Sequence, residues 1–256
     1  MIIPVHNGET ELPKVLEALS HQAWPDLGVT VVLNGCQDRS EAVAATGLRR
    51  LEEAGAAVRL VRLAEPSRAA ALNVAETGSN HHRLYLDQDA IPCSGALARI
   101  TDALDAGHHF VGGVAAWRTT SRIVAAAMEA WNEIPYVVQS PTTAGMYAVS
   151  AEGRQRWKTW PANLADDKFA RLQFEPHERC RLEDVTYSVT APNSFAGLIA
   201  ARRRYLRYNV AIGRLPELRQ RDLPRYSSLH TLAWRPALWP GLLALMLAQV
   251  SARARP

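Results

Sequence analysis

The stretch Arg83-Leu84-Tyr85-Leu86-Asp87-Gln88-Asp89-Ala90-Ile91-Pro92 sets the reading of the chain. A short apolar run, Leu84 to Leu86, ends in two carboxylates and then in Pro92-Cys93-Ser94-Gly95. The run reads as a buried strand that delivers Asp87 and Asp89 to its C-terminal edge, and the turn residues that follow predict a bend there. Carboxylate oxygens at a strand end suit a hard divalent ion shared with phosphate oxygens. A solvated acidic turn accounts for an isolated Asp-x-Asp equally simply, so the flanking chain has to decide.

Upstream, Met1–Val5 reads as a short apolar strand and His6-Asn7-Gly8-Glu9 as a turn. Leu12, Val15, Leu16 and Leu19 then recur at helical spacing within 11–22. After a loop with Trp24-Pro25 comes a second buried strand, Val29–Leu33, ending in Asn34-Gly35-Cys36-Gln37-Asp38. A helix over 40–54, a strand over 58–63 and a helix over 67–76 lead back to the opening stretch. Strands alternating with helices at this spacing imply a parallel sheet with helices on both faces. Ligands of such sheets bind at the carboxyl ends of the strands, where Asn7, Asn34, Asp38 and Asp89 would meet. No Gly-x-Gly-x-x-Gly or phosphate-loop lysine follows any strand.

Ile2-Ile3-Pro4-Val5-His6-Asn7-Gly8-Glu9, Val31-Val32-Leu33-Asn34-Gly35-Cys36-Gln37-Asp38 and Tyr85-Leu86-Asp87-Gln88-Asp89 together resemble the family 2 glycosyltransferases of GT-A fold, from Ile2 to about Tyr208. The resemblance implies an α/β fold, a Rossmann-like mixed sheet flanked by helices, typical of nucleotide-diphospho-sugar transferases. It implies a GT-A domain over 1–208, with a donor half of about 1–92 and an acceptor half of about 93–208, followed by a basic and apolar extension over 209–256. The implied activity is inverting transfer of one sugar from a nucleotide-diphosphate donor to an acceptor hydroxyl, with Mg²⁺ or Mn²⁺ as cofactor. By similarity, Pro4, His6, Asn7, Glu9, Asn34, Asp38 and Asp87 would bind the donor nucleotide, with Asp89 and Asp87 at the metal. Leu33 stands where an aspartate often contacts the base, which leaves UDP, GDP and TDP donors open. Arg68 and Asn73 occupy a Gly-Lys-x-x-Ala-x-Asn-like stretch, Arg68 replacing the lysine with a planar fork. An exposed arginine at a helix start is the plain alternative.

Downstream, Val111–Val114 reads as a strand, 118–131 as a helix, and 143–150 as a strand in which Gly145 would let a substrate approach the backbone. An ordinary glycine turn also fits there. Asp166 and Asp167 precede an apolar helix and would ordinarily cap it. In the family such a pair opens a helix under the acceptor, and the resemblance makes Asp167 the catalytic base with Asp166 beside it. Glu178–Thr190 reads as a late strand and Leu198–Tyr208 as an arginine-dense helix, where Arg203 and Arg204 could contact a phosphate or simply be solvated. That helix has Ala201-Arg202-Arg203-Arg204-Tyr205 where processive relatives carry Gln-x-x-Arg-Trp, which favours single-sugar transfer. By position His177 is a late metal-ligand candidate.

Composition is that of a folded protein, with 48% hydrophobic and 21% charged residues over 256 positions. The excess of positive charge is local. From Ala201 onward eleven arginines (202, 203, 204, 207, 214, 219, 221, 225, 235, 253, 255) face two acids, Glu217 and Asp222. Three cysteines without paired spacing argue against a disulfide framework or zinc site and fit a reducing compartment. The chain shows no leader, and the apolar run 237–250 is short for a span and broken by Pro240. The expectation is a cytoplasmic enzyme with no nucleic-acid partner. Its tail, with Trp234 and Trp239 between arginines, suits the inner face of an anionic membrane, an internal packing contact or a dimer contact. A haloacid-type phosphohydrolase and a catalytically silent nucleotide-sugar binding module are the competing functions.

Overall fold

Alternating side-chain direction along the first strands, of which Ile2–Val5 and Arg83–Leu86 are buried on both faces, divides the core into two layers. In the computed structural model, which describes all residues except 23–25, 77–80, 140, 142, 213–214, 216–217, 219, 223–228 and 255–256, the sheet begins with β1 (Ile2–Val5), β2 (Gly28–Asn34), β3 (Ala57–Leu63) and β4 (Arg83–Leu86). Trp24-Pro25, Arg214, Glu217, Arg219, Arg225 and Arg255 thus lie outside the described residues. Successive side chains of a strand point to opposite faces. Ile3, Val5, Leu84 and Leu86 therefore join one apolar layer, while Ile2 and Tyr85 join the other. The first layer packs α1 (Leu12–Ser20), α2 (Ser40–Glu53) and α4 (Ala96–Asp105) through Leu16, Leu48 and Ile100. The second packs α3 (Arg68–Ala75) with an aromatic cluster of Phe110, Tyr147, Trp157, Trp160 and Phe169.

One eight-stranded sheet runs in the order β3-β2-β1-β4-β7-β6-β8-β5. The first four strands are parallel, with Ile3 opposite Val31 and Ile2 opposite Tyr85. β7 (Met146–Val149) then inserts antiparallel beside β4, Leu86 opposite Met146, and β6 (Phe110–Arg118) pairs antiparallel with β7. β8 (Arg179–Thr190) runs parallel to β6, and the short β5 (Ile91–Pro92) closes the edge. The sheet is mixed, so the all-parallel arrangement read from alternation holds only for its first half. Because β7 alone is reversed among the long strands of the second half, the carboxyl ends of β4, β6 and β8 and the start of β7 share one edge.

Two sequence readings need correction. The helix expected from Arg118 begins later, as α5 (Arg122–Asn132), with Ser121 Oγ accepting the Val124 N–H at 3.4 Å. Pairing with the long β8, Arg118 opposite Thr190, holds residues 115–118 extended. Helix α4, for which no element was expected, buries Leu97, Ile100 and Leu104 on one face.

After α5 comes the short α6 (Pro135–Gln139), which buries Tyr136 and Val137. A third apolar cluster joins α5, α8 (Phe195–Ile212) and α9 (Trp239–Arg253). Gly241 of α9 sits against the Ala126 carbonyl of α5, so close that a Cβ would collide with it. The C-terminal helix is thus packed against the rest of the fold. No helix among the described residues is long and apolar enough to cross a membrane.

Candidate active site

The two carboxylates of the opening stretch are presented by a turn. Asp87 N–H donates to the Gly145 carbonyl at 2.7 Å, and Ala90 N–H donates to the Asp87 carbonyl at 3.1 Å. The bend expected after β4 is present, and Asp87 and Asp89 both line a single cavity of about 1420 Å³. Gln88 between them faces the other way and clamps the first strand's loop: its Oε1 accepts from His6 N–H at 2.7 Å and its Nε2 donates to His6 O at 3.1 Å. Arg118, at the end of β6, steadies the turn by donating to the Asp89 carbonyl at 3.0 Å and to Glu11 Oε2 at 3.1 Å. Gly145 adopts φ +108°, where an L side chain is strained, and a Cβ there would stand 3.3 Å from Ala90 Cβ and 3.4 Å from Asp87.

A second acidic pair meets the first through one guanidinium. Arg68 donates to both oxygens of Asp166 at 2.6 and 3.0 Å, and its Nη2 lies 2.7 Å from Asp87 Oδ1. Tyr147 Oη donates to Asp166 Oδ2 at 2.9 Å. Asp166 is therefore committed to structural contacts. Asp167 accepts the Lys168 N–H at 2.7 Å and faces the cavity. Burial, then the neighbouring Asp166 carboxylate, push the Asp167 carboxyl up to about 7. The two aspartates do not cap their helix, as simple capping would have it: they are the first residues of α7 (Asp166–Arg171), and Ala165 holds the cap position without a side-chain bond. Behind them, the almost fully buried Lys168 and Arg171 both reach Asp222, at 2.8 and 3.2 Å, which anchors α7.

The residues present fit a divalent cation. Burial, then the Asp87 charge, raise the Asp89 carboxyl to about 6, a site short of positive charge. Asp87 Oδ1 is buried with no hydrogen bond, its contact with Arg68 lacking the needed angle. The described residues hold no cluster of three or more His, Cys, Asp or Glu suited to a metal, and an ion held by one or two carboxylates plus substrate phosphates needs none. His177 is exposed at the start of β8, the opposite edge of the sheet, and its candidacy as a ligand is overturned by that placement.

Most of the residues expected around the nucleotide lace neighbouring loops together. Asn7, in the left-handed region at φ 51°, accepts the Gln37 N–H at 2.9 Å. Asp38 accepts the Glu9 N–H at 3.0 Å, and Glu9 accepts the Arg39 N–H at 3.1 Å. Asn34 Oδ1 accepts the Ser67 N–H at 2.6 Å, and its carbonyl contacts His6 Nδ1 at 2.8 Å. Pro4 is buried in β1 opposite Val32. None of these lines the cavity; they set the loops at its rim. Asn73 likewise is engaged at both amide atoms with the Trp160 backbone, at 2.7 and 3.2 Å. On α8 it is Arg202 and Arg204 that reach the cavity. Arg203, one helical step round, donates to Ser251 O at 3.3 Å and packs α8 on α9, which corrects its expected phosphate role.

Several cavity components escape sequence reading. Glu76 gathers the Tyr85 hydroxyl at 2.5 Å, Trp160 Nε1 at 2.8 Å and Arg154 Nε at 2.8 Å, fixing the aromatic wall behind Arg68. Tyr147, which holds Asp166, stacks on Tyr85 at 4.8 Å. The signal for Tyr147 was only an aromatic at an alternate strand position, which is indistinguishable from core, and that for Glu76 only an acid at a helix end. The far wall comes from α9, through Leu242, Leu245, Met246, Gln249, Val250 and Arg253.

With this geometry in hand, the sequence profile described as "Glycosyl transferase family 2" matches residues 1–179. No curated protein matches the sequence. Among solved structures, a mannosyltransferase from Pyrobaculum calidifontis, in complex with GDP-Man and Mn²⁺, superposes with a TM-score of 0.66 at 19% identity, over 99% of this chain and 72% of that one. The 1–349 fragment of S. aureus TarS in complex with UDP-GlcNAc gives a TM-score of 0.57 at 15% identity, over 99% of this chain and 90% of that one. Glucosyl-3-phosphoglycerate synthase from Mycobacterium tuberculosis gives 0.51 at 15% identity, over 82% and 77%. At these identities the likeness is one of fold.

Proposed function

The chain belongs to glycosyl transferase family 2, and from that premise we propose that it moves a single sugar from a nucleoside-diphosphate donor to an acceptor hydroxyl, with inversion and with help from a divalent cation. Family membership does not favour the phosphohydrolase reading. The observation that carries the proposal is the convergence on one cavity of Asp87 and Asp89, from the turn after β4, and Asp167, from α7, with Asp166 held by Arg68 and Tyr147 while burial keeps the Asp167 carboxyl raised.

Asp167 is the base. An alcohol is a poor nucleophile at neutral pH, and a carboxylate that titrates near the working pH is well matched to remove its proton. The acceptor oxygen bonds to the anomeric carbon as its proton passes to Asp167, and the bond to the diphosphate breaks on the opposite face, which inverts the centre. Asp89 and Asp87 would hold the cation, which offsets charge on the departing diphosphate when bound. Arg68 offers the same diphosphate a planar cation. His6, Asn7, Glu9, Asn34 and Asp38 hold the nucleotide-side loops, Gly145 gives the sugar room beside Asp87, and Asp166 positions Arg68. Relatives of the same fold were solved with GDP-Man and Mn²⁺ and with UDP-GlcNAc, which supports a donor of this class.

The test is a thermal-shift screen with UDP, GDP, TDP and CDP, each with and without Mn²⁺. A ligand at about 100 times its dissociation constant stabilises the fold by about 2.7 kcal/mol. A shift with one nucleotide that needs the metal is the expected result and identifies the donor class. No shift with any nucleotide overturns the proposal.

A further inference from the structure

The cavity is larger than the chemistry at its carboxylate end requires, and its far part is of different character. Past Asp167 its walls include Trp131 of α5, Leu198 of α8, and the α9 residues Leu242, Leu245, Met246 and Val250. The α9 residues recur at spacings of three and four, so one face of that helix forms the wall. Two of them, Met246 and Val250, are also 57% and 60% exposed. The cavity therefore opens at these residues onto the surface, and the surface beside them is apolar too: Leu243 and Leu247 are 52% and 48% exposed on the same helix. An apolar passage that leaves an active site and emerges on an apolar stripe does not suit a sugar, whose hydroxyls would lose water without finding partners.

Charge narrows the occupant further. Arg204 and Arg253 stand on the cavity wall, one from each of the two helices, and neither has an acidic partner among the described residues. Arg99, Arg154, Arg156 and Arg235, by contrast, are each matched with a carboxylate. Cations left unmatched beside an apolar passage are complementary to an amphiphile with an anionic group next to its chain.

We propose that the acceptor is a lipid: its hydroxyl is held at Asp167, an anionic group such as a phosphate lies against Arg204 and Arg253, and its aliphatic chain runs between α5, α8 and α9 to leave over the Leu243–Met246–Leu247–Val250 stripe. This rests on the glycosyltransferase reading and adds the acceptor class to it. The stripe would then lie on the surface that supplies the lipid, with Trp234, 89% exposed, and Trp239 at its end.

The test is calorimetric titration with monomeric decyl phosphate and with butyl phosphate, in the absence of nucleotide. Each buried methylene tightens binding about fourfold. The proposal expects one decyl phosphate per chain, bound at least about a hundredfold more tightly than butyl phosphate. Met246→Glu, at an exposed position that packing tolerates, should erase most of that gain, and Val250→Glu serves the same purpose should the first fail to fold. Equal affinities for the two phosphates, no binding of either, or a chain-length gain that survives both variants would overturn it. Many decyl phosphates adsorbed per chain would overturn it as well. Sedimentation with phosphatidylcholine vesicles, with and without phosphatidylglycerol, separates a membrane-borne source from a free amphiphile. Binding to either kind of vesicle marks the membrane as the source, and decyl phosphate binding without vesicle binding marks a dispersed lipid. The nucleotide screen is read separately, so a failed donor reading and a failed acceptor reading give different patterns.

Discussion

The two ends of the cavity are built by different means. At the end proposed for the donor, loops after β1, β2 and β3 are cross-tied by Glu9, Asn34, Asp38 and Gln88, each bonding the backbone of a neighbouring loop. At the end proposed for the acceptor, helices α5, α8 and α9 meet through alanine, leucine and a glycine. Directional bonds give one geometry and suit a ligand with a set pattern of donors and acceptors. Apolar packing specifies volume and leaves detail tolerant.

The comparison can be broken from either side. The largest effect is expected for Asp167→Asn, which should lower transfer by about 10² to 10⁴ while metal-dependent nucleotide binding persists; retained transfer in a coupled nucleotide-release assay would place the base elsewhere. The wild-type rate should climb as pH passes about 7, because the base must be unprotonated. The stability effect has the opposite sign. Asp167 is raised above its ordinary value of 3.8, so its contribution is full below that value and is lost as pH rises toward 7, a slope that Asp167→Asn should flatten in a melting series.

Next comes the anchor of the acceptor-side helix. Asp222→Ala removes the carboxylate that the buried Lys168 and Arg171 both reach and should cost about 3–5 kcal/mol in denaturant unfolding. A small change would mean that α7 does not depend on this carboxylate. Asp89→Ala addresses the end proposed for the donor and should remove the Mn²⁺-dependent nucleotide shift, about 2.7 kcal/mol with ligand at about 100 times its dissociation constant. Gly241→Ala presses on the Ala126 carbonyl and should cost about 1–3 kcal/mol, with the donor shift intact. If the donor shift disappears too, the two ends are coupled and the contrast between them weakens. The smallest effect is Asp38→Asn, about 1 kcal/mol. Burial works against ionised Asp38, but the Ser40 hydroxyl and the backbone N–H groups of Glu9 and Ser40 outweigh it and hold its carboxyl below the ordinary 3.8. Its contribution is present above that value and lost as pH falls through the lowered one, so the variant should blunt acid unfolding.

Much of the donor half was legible because its signals are local. Leu84-Tyr85-Leu86 followed by Asp87 reads as a buried strand ending at an edge, and Leu12, Val15, Leu16 and Leu19 mark one helical face without reference to anything distant. The acceptor half was read less well. Arg118 looks like the start of a helix, close to the alanine run Ala125-Ala126-Ala127, only until β8 is laid next to it, whereas α4 carries a plain helical periodicity in Leu97, Ile100, Ala103 and Leu104 to which no element was assigned. Arg203 and Arg204 differ by one helical step, and only the position of α9 tells which faces the cavity.

The sequence by itself determined the strand–helix alternation, the carboxylates at β4 and α7, and the family to which they belong. Those follow from short-range pattern and from residue chemistry at element ends. Tertiary structure alone decided that β7 enters reversed beside β4, that Arg68 joins Asp87 to Asp166, and that a C-terminal helix walls the cavity. Each of these depends on contacts between residues tens of positions apart, whose pairing is settled by packing the whole sheet and its helices at once and leaves no periodic trace in any one segment.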